Sequence, residues 1–91
     1  MSETLYAGKP QQPRIPVGKI WLRRRYRRVK TAKWHMAKSK TYTDKEWFER
    51  MWRRYCREVD RGSPSCDLCA VAFEIQDGKW VETRRYEGES P

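Results

Sequence analysis

Between Lys19 and Lys40 the chain carries ten basic residues and not one acidic residue. A run with this much charge cannot be buried on both sides of any element. It folds only as surface structure with a single apolar side, and it repels itself unless an anion compensates. The asymmetry extends beyond this run. Residues 1–40 hold 12 basic and 1 acidic residue, and residues 41–91 hold 9 basic and 11 acidic, so the net charge of +9 lies in the first part of the chain.

A basic run of this kind can be a solvated face kept for solubility, a nuclear-localisation tract, or a phosphate-binding surface. Two details favour the third. An ordinary solvated face interleaves both signs, and here the acids are missing. Planar groups also sit among the cations, where they can stack on bases while their neighbours hold phosphates. Arg dominates the densest part, and its planar fork suits bidentate phosphate contacts. The expected nucleic-acid-binding residues are Arg23, Arg24, Arg25, Tyr26, Arg27, Arg28, Lys30, Lys33, Trp34, His35, Lys38 and Lys40, with Trp21 close by. Charge and rings do not separate DNA from RNA.

With 91 residues the chain has room for one small domain. Leu, Ile, Val and Phe together number 13, which points towards disorder, but five Trp and five Tyr oppose that reading. No apolar run approaches the ~18 residues of a membrane span. Met1–Pro16 has no apolar stretch of the kind found in secretory signals. Three cysteines, an odd number, suit a reducing compartment. An intracellular protein of the cytoplasm, nucleoid or nucleus is therefore expected, without a membrane partner.

Pro10, Pro13 and Pro16 mark residues 1–16 as an N-terminal arm, residues 17–86 as the domain, and residues 87–91 as a fraying tail. The clearest element is a helix over 44–61. Thr43 and Glu46 have capping-box spacing, and Gly62 followed by Pro64 ends the helix. Trp47, Phe48, Met51, Trp52, Tyr55, Cys56 and Val59 recur at helical spacing. Ala70–Gln76 alternates as a strand, Asp77-Gly78 is a tight-turn signal, and Lys79–Tyr86 returns, with Ile75 facing Trp80. Trp47, Met51, Trp52, Val71, Phe73 and Ile75 are the expected core between helix and hairpin.

The basic segment fits a helix with Leu22, Tyr26, Val29 and Met36 in one stripe. It also fits two strands turning near Thr31–Ala32. The strands are preferred, because a sheet of three or four strands is more stable than a lone hairpin. The expected fold class is thus α+β: a small single domain with one central amphipathic helix packed on an antiparallel sheet that includes a C-terminal β-hairpin.

Cys66-Asp-Leu-Cys69 has the spacing that lets two thiolates meet one zinc, and Cys56 and His35 are the only residues of their types left to complete the set. Half the site would be scattered, so zinc is not favoured and no cofactor is expected. Cys56 and Cys69 read better as small core residues, with Cys66 in a loop. Any histidine mechanism must use His35, which has no acid near it in sequence. Glu74, Asp77 and Glu82 are the remaining catalytic candidates.

The preferred reading is a non-catalytic nucleic-acid-binding module. The first alternative is a small virus- or mobile-element-type regulator that binds an acidic or nucleic-acid-handling protein, since Trp, Tyr and Arg dominate interface hot spots. The second is a small basic ribonuclease.

Overall fold

A computed structural model describes residues 15–88. Of the expected arm and tail, only Ile15, Pro16, Glu87 and Gly88 fall among them, and the rest lies outside the described residues. The elements run β1 (Gly18–Tyr26), β2 (His35–Tyr42), α1 (Lys45–Arg61), β3 (Cys66–Gln76) and β4 (Lys79–Tyr86). The four strands form one antiparallel sheet in the order β2-β1-β3-β4, and the helix packs against one side of it. This is the α+β arrangement read from the sequence, with the basic segment supplying two strands. Among the described residues, no helix is long and apolar enough to cross a membrane.

The helix begins one residue later than its capping pattern suggests. Asp44, not Thr43, is the N-cap, and its carboxylate accepts from the backbone N–H groups of Glu46 (2.9 Å) and Trp47 (3.3 Å). A carboxylate at this position satisfies two otherwise orphaned donors and opposes the positive end of the helix. Gly62 closes the other end with φ 73°, and its N–H bonds to the Glu58 carbonyl. The β3–β4 turn is Asp77-Gly78, both at positive φ (53° and 77°), as a two-residue hairpin with right-handed strands requires. Ile75 pairs with Trp80 across it.

The core lies on the opposite parity of β3 from the one expected. Ala70 and Ala72, both fully buried, face the helix, and Val71, Phe73 and Ile75 point to the other side of the sheet. The reason is one of size. The helix inserts the large rings of Phe48 and Tyr55, so the sheet beneath must be small or stay low. Gly18, Ala70 and Ala72 make that room, and Ile20, Leu22, Tyr42 and Val59 complete the cluster. Met51 and Trp52 pack at its margin, as expected, but Trp47 is 45% exposed with the Arg50 guanidinium over its ring. β3 also starts earlier than anticipated, at Cys66, so Cys66 and Cys69 lie within a strand.

Candidate nucleic-acid interface

Strand alternation sorts the basic segment into two faces. On β1, Ile20 and Leu22 go under the helix, and Lys19, Trp21, Arg23 and Arg25 go to the other side. β3 adds Asp67, Cys69, Val71, Phe73 and Ile75 to that side, in register with them. A bulge in the β3–β4 pairing sets Arg84 towards the helix and leaves Glu82 and Arg85 on the open side. Among the described residues, no element packs on this second face.

Two clusters occupy it. In the first, Trp21 and Phe73 stand with ring centroids 4.5 Å apart, and Trp80 joins them from β4. The Lys19 ammonium lies over all three, 4.6 Å from the Trp80 centroid, 5.4 Å from Phe73 and 5.6 Å from Trp21. In the second, Trp34 folds back from the β1–β2 connection. The guanidinium of Arg25 lies 4.8 Å from its ring and that of Arg23 lies 6.0 Å away. Both are cation–π distances. Val71 and Cys69 sit between the clusters and are buried, with the Arg85 guanidinium reaching the Cys69 sulfur.

Among the described residues three carboxylates reach this face: Asp67, Glu82 and, at its margin, Glu87, whose carboxylate lies 3.9 Å from Arg85. Asp67 accepts from Arg27 (2.7 Å) and Arg25 (3.0 Å), which hold its carboxyl below the usual range. Glu82 accepts two bonds of 3.0 Å from Arg85. Lys19, Arg23, Arg24, Arg28, Lys30, Lys33 and Lys40 make no ion pair among the described residues. The surface therefore carries uncompensated positive charge beside half-exposed rings.

The structure brings together some of the expected residues and separates others. Arg23, Arg25 and Trp34 converge on the open face, with Arg27 at its margin through Asp67. Tyr26 and His35 pair at the end of the sheet, with ring centroids 6.3 Å apart, and Arg24 lies over Tyr26. Arg28, Lys30 and Lys33 belong to the exposed connection beyond them. Lys38 and Lys40 point the other way. A bulge opposite Leu22 and Arg23 leaves Lys38 paired with Leu22 on the helix side, where it meets Glu58 at 3.5 Å and the Tyr55 ring. Lys40 pairs with Ile20 and shares that side.

Lys19 belongs to the basic run read from the sequence, whereas Phe73, Trp80 and Arg85, which share this face with it, lie outside that run. The alternation of Lys19, Trp21, Arg23 and Arg25 carries the signal. Val71 is buried as expected, but it and Phe73 lie on the side away from the helix, where the sequence reading did not place them.

Cys66 and Cys69 are three apart on a strand, which sends their thiols to opposite faces. Cys56 lies on the helix, and His35 begins β2 with β1 between it and β3, so the four do not converge. No group of three metal-ligating side chains comes together among the described residues. Burial is the main cause raising the thiol pKa of both Cys56 and Cys69. The carboxylate candidates are likewise dispersed. Glu74 meets Thr83, Lys45 and Arg84 on the helix side, Glu82 is held by Arg85 on the open face, and Asp77 is in the turn.

Comparison with known protein families, characterised proteins and solved structures finds no match to this chain.

Proposed function

We propose that this protein is a non-catalytic nucleic-acid-binding module. One observation carries the reading: the helix covers a single face of the sheet, and the other presents Lys19, Trp21, Arg23 and Arg25 in alternation, with Trp34 and Trp80 at the two ends. Cations hold phosphates without regard to sequence, and rings accept bases. The exposed connection bearing Arg28, Lys30 and Lys33 extends the positive surface past the end of the sheet. Three free thiols suit a reducing, intracellular setting in which such a ligand is abundant.

The test is fluorescence anisotropy with random-sequence single-stranded and duplex oligonucleotides at two salt concentrations. Binding is expected to weaken steeply with salt. Replacing Lys19 and Arg23 together by Gln is expected to flatten the log–log slope by roughly 0.7–0.9 per lost phosphate contact. No binding to either ligand at ~50 mM salt, where counterion release favours association, would overturn the reading and turn attention to an acidic protein partner.

A further inference from the structure

We infer that the occupant of the open sheet face is an unpaired polynucleotide strand, which lies along β1 and stacks bases at Trp80 and Trp34. This rests on the nucleic-acid reading above and narrows it. A duplex keeps its bases stacked on one another and offers an approaching sheet its phosphates and groove edges. The major groove admits a helix or a two-stranded ribbon, not the broad face of four strands. Against a duplex the cations here would be used and the rings would not. An unpaired strand uses both, because each base has a free face that an aromatic side chain can cover.

The layout fits such a strand. Lys19 and Arg25 are six residues apart on β1, about 20 Å at ~3.3 Å per residue. Each carries its positive charge to an aromatic ring, Lys19 at Trp80 and Arg25 at Trp34. Lys19 beside Trp80 makes no ion pair among the described residues. At the other end, where Arg25 is bonded to Asp67, Arg23 lies 6.0 Å from the Trp34 ring. Each end therefore sets a cation and a base contact side by side, which is the repeating need of a single strand. Trp80 is 36% exposed and Ile75 beside it 39%, so that end already offers apolar surface to a ligand. Charge complementarity completes the argument: Asp67, Glu82 and Glu87 are each met by arginine, and Lys19 and Arg23 on the same face make no ion pair among the described residues.

The experiment compares oligo-dT, oligo-U and a blunt duplex of matched length, with the intact chain and with Trp80→Leu and Trp34→Leu. Leucine keeps apolar bulk and removes the stacking surface, and a circular dichroism melt checks that each variant folds. The strands are expected to bind at least ~10-fold more tightly than the duplex and to quench tryptophan fluorescence. Each variant is expected to weaken strand binding by on the order of 10-fold, with the salt slope unchanged. Preference for dT or for U would identify the sugar that the face accepts, and either supports the inference. Equal or tighter duplex binding, or folded variants with unaltered strand affinity and no quenching, would overturn it and leave the broader nucleic-acid reading standing. Failure to bind strand and duplex alike would remove both.

Discussion

Which side of the sheet the helix covers decides which side is free for a ligand, and one contact tests it. The Phe48 ring is fully buried over Gly18. A Cβ built on Gly18 would lie 2.5, 2.7 and 2.8 Å from three carbons of that ring, Cε1, Cζ and Cδ1, well inside van der Waals contact. Gly18→Ala is therefore expected to destabilise through overpacking by roughly 1–3 kcal/mol. The backbone at Gly18 is not in the left-handed region, so alanine itself is acceptable there. Without the ring it would gain about 0.5–1 kcal/mol over glycine in a strand. Phe48→Leu removes two of the three offending carbons. In that background Gly18→Ala is expected to be close to neutral, giving a coupling energy of about 1–2 kcal/mol between positions 18 and 48. Urea unfolding of the four proteins, followed by circular dichroism, measures the cycle. A Gly18→Ala cost of the same size in both backgrounds would refute the contact. It would then also refute the assignment of Trp21 and Phe73 to the uncovered face.

Arg84 bridges the helix to β4, donating two bonds of 2.7 Å to Glu49, and these bonds are the main cause holding the Glu49 carboxyl down to about 2. A carboxyl lowered on folding stabilises the protein above its unfolded pKa near 4.5 and loses that contribution as pH falls towards 2. After allowance for solvent screening Glu49→Gln is expected to cost about 1–2 kcal/mol at neutral pH and to make acid unfolding between these pH values shallower, read by urea midpoints against pH. Because Cys66 and Cys69 face opposite sides of β3, EDTA is expected to leave the melting curve unchanged, and elemental analysis to find no stoichiometric zinc. One zinc per chain with cooperative unfolding on chelation would contradict that placement.

The helix and the hairpin were legible because each carries local chemistry that does not depend on its neighbours, whereas residues 19–40 fit a helix or two strands and only the gain from a larger sheet favours the strands. The helix is announced by its stripe and by Gly62, and the hairpin by Asp77-Gly78 and alternation. The faces were harder to read. Val71, Phe73 and Ile75 form the more hydrophobic parity of β3, and a rule that sends the larger apolar residues inward puts them under the helix. What reverses the rule is the helix itself, whose Phe48 and Tyr55 occupy the space that such residues would need. That choice depends on volumes contributed by two elements distant in sequence, so no single window contains it. The same error hid half of the candidate interface. Lys19, Trp21 and Trp80 meet only once Phe73 is known to lie on their side. Lys38 and Lys40 face the helix side for a related reason: the bulge at Leu22/Arg23 changes the facing of β2 partway along, and nothing in a run of basic residues marks where.

The cations act on the fold and would act on a polyanionic ligand in opposite ways. β2 is an edge strand, exposed along nearly its whole length, and Lys38 and Lys40 on it deter pairing with another chain's edge. Beyond that service the block is a burden. Arg25 and Arg27 are tied to Asp67 and Lys38 reaches Glu58, but exposed pairs of this kind contribute little, and the cations that follow one another along β1 and the connection after it repel one another. Salt screens that repulsion and so favours the fold, while the same salt competes with the condensed counterions of a polyanion and weakens the complex. A surface kept only for solubility needs neither the concentration of charge on one end of the sheet nor rings set within it. Under the proposed function a polyanion would use both: it would relieve the repulsion where Trp34 and Trp80 offer rings to its bases, and stability lost to the unpaired cations would return as binding free energy.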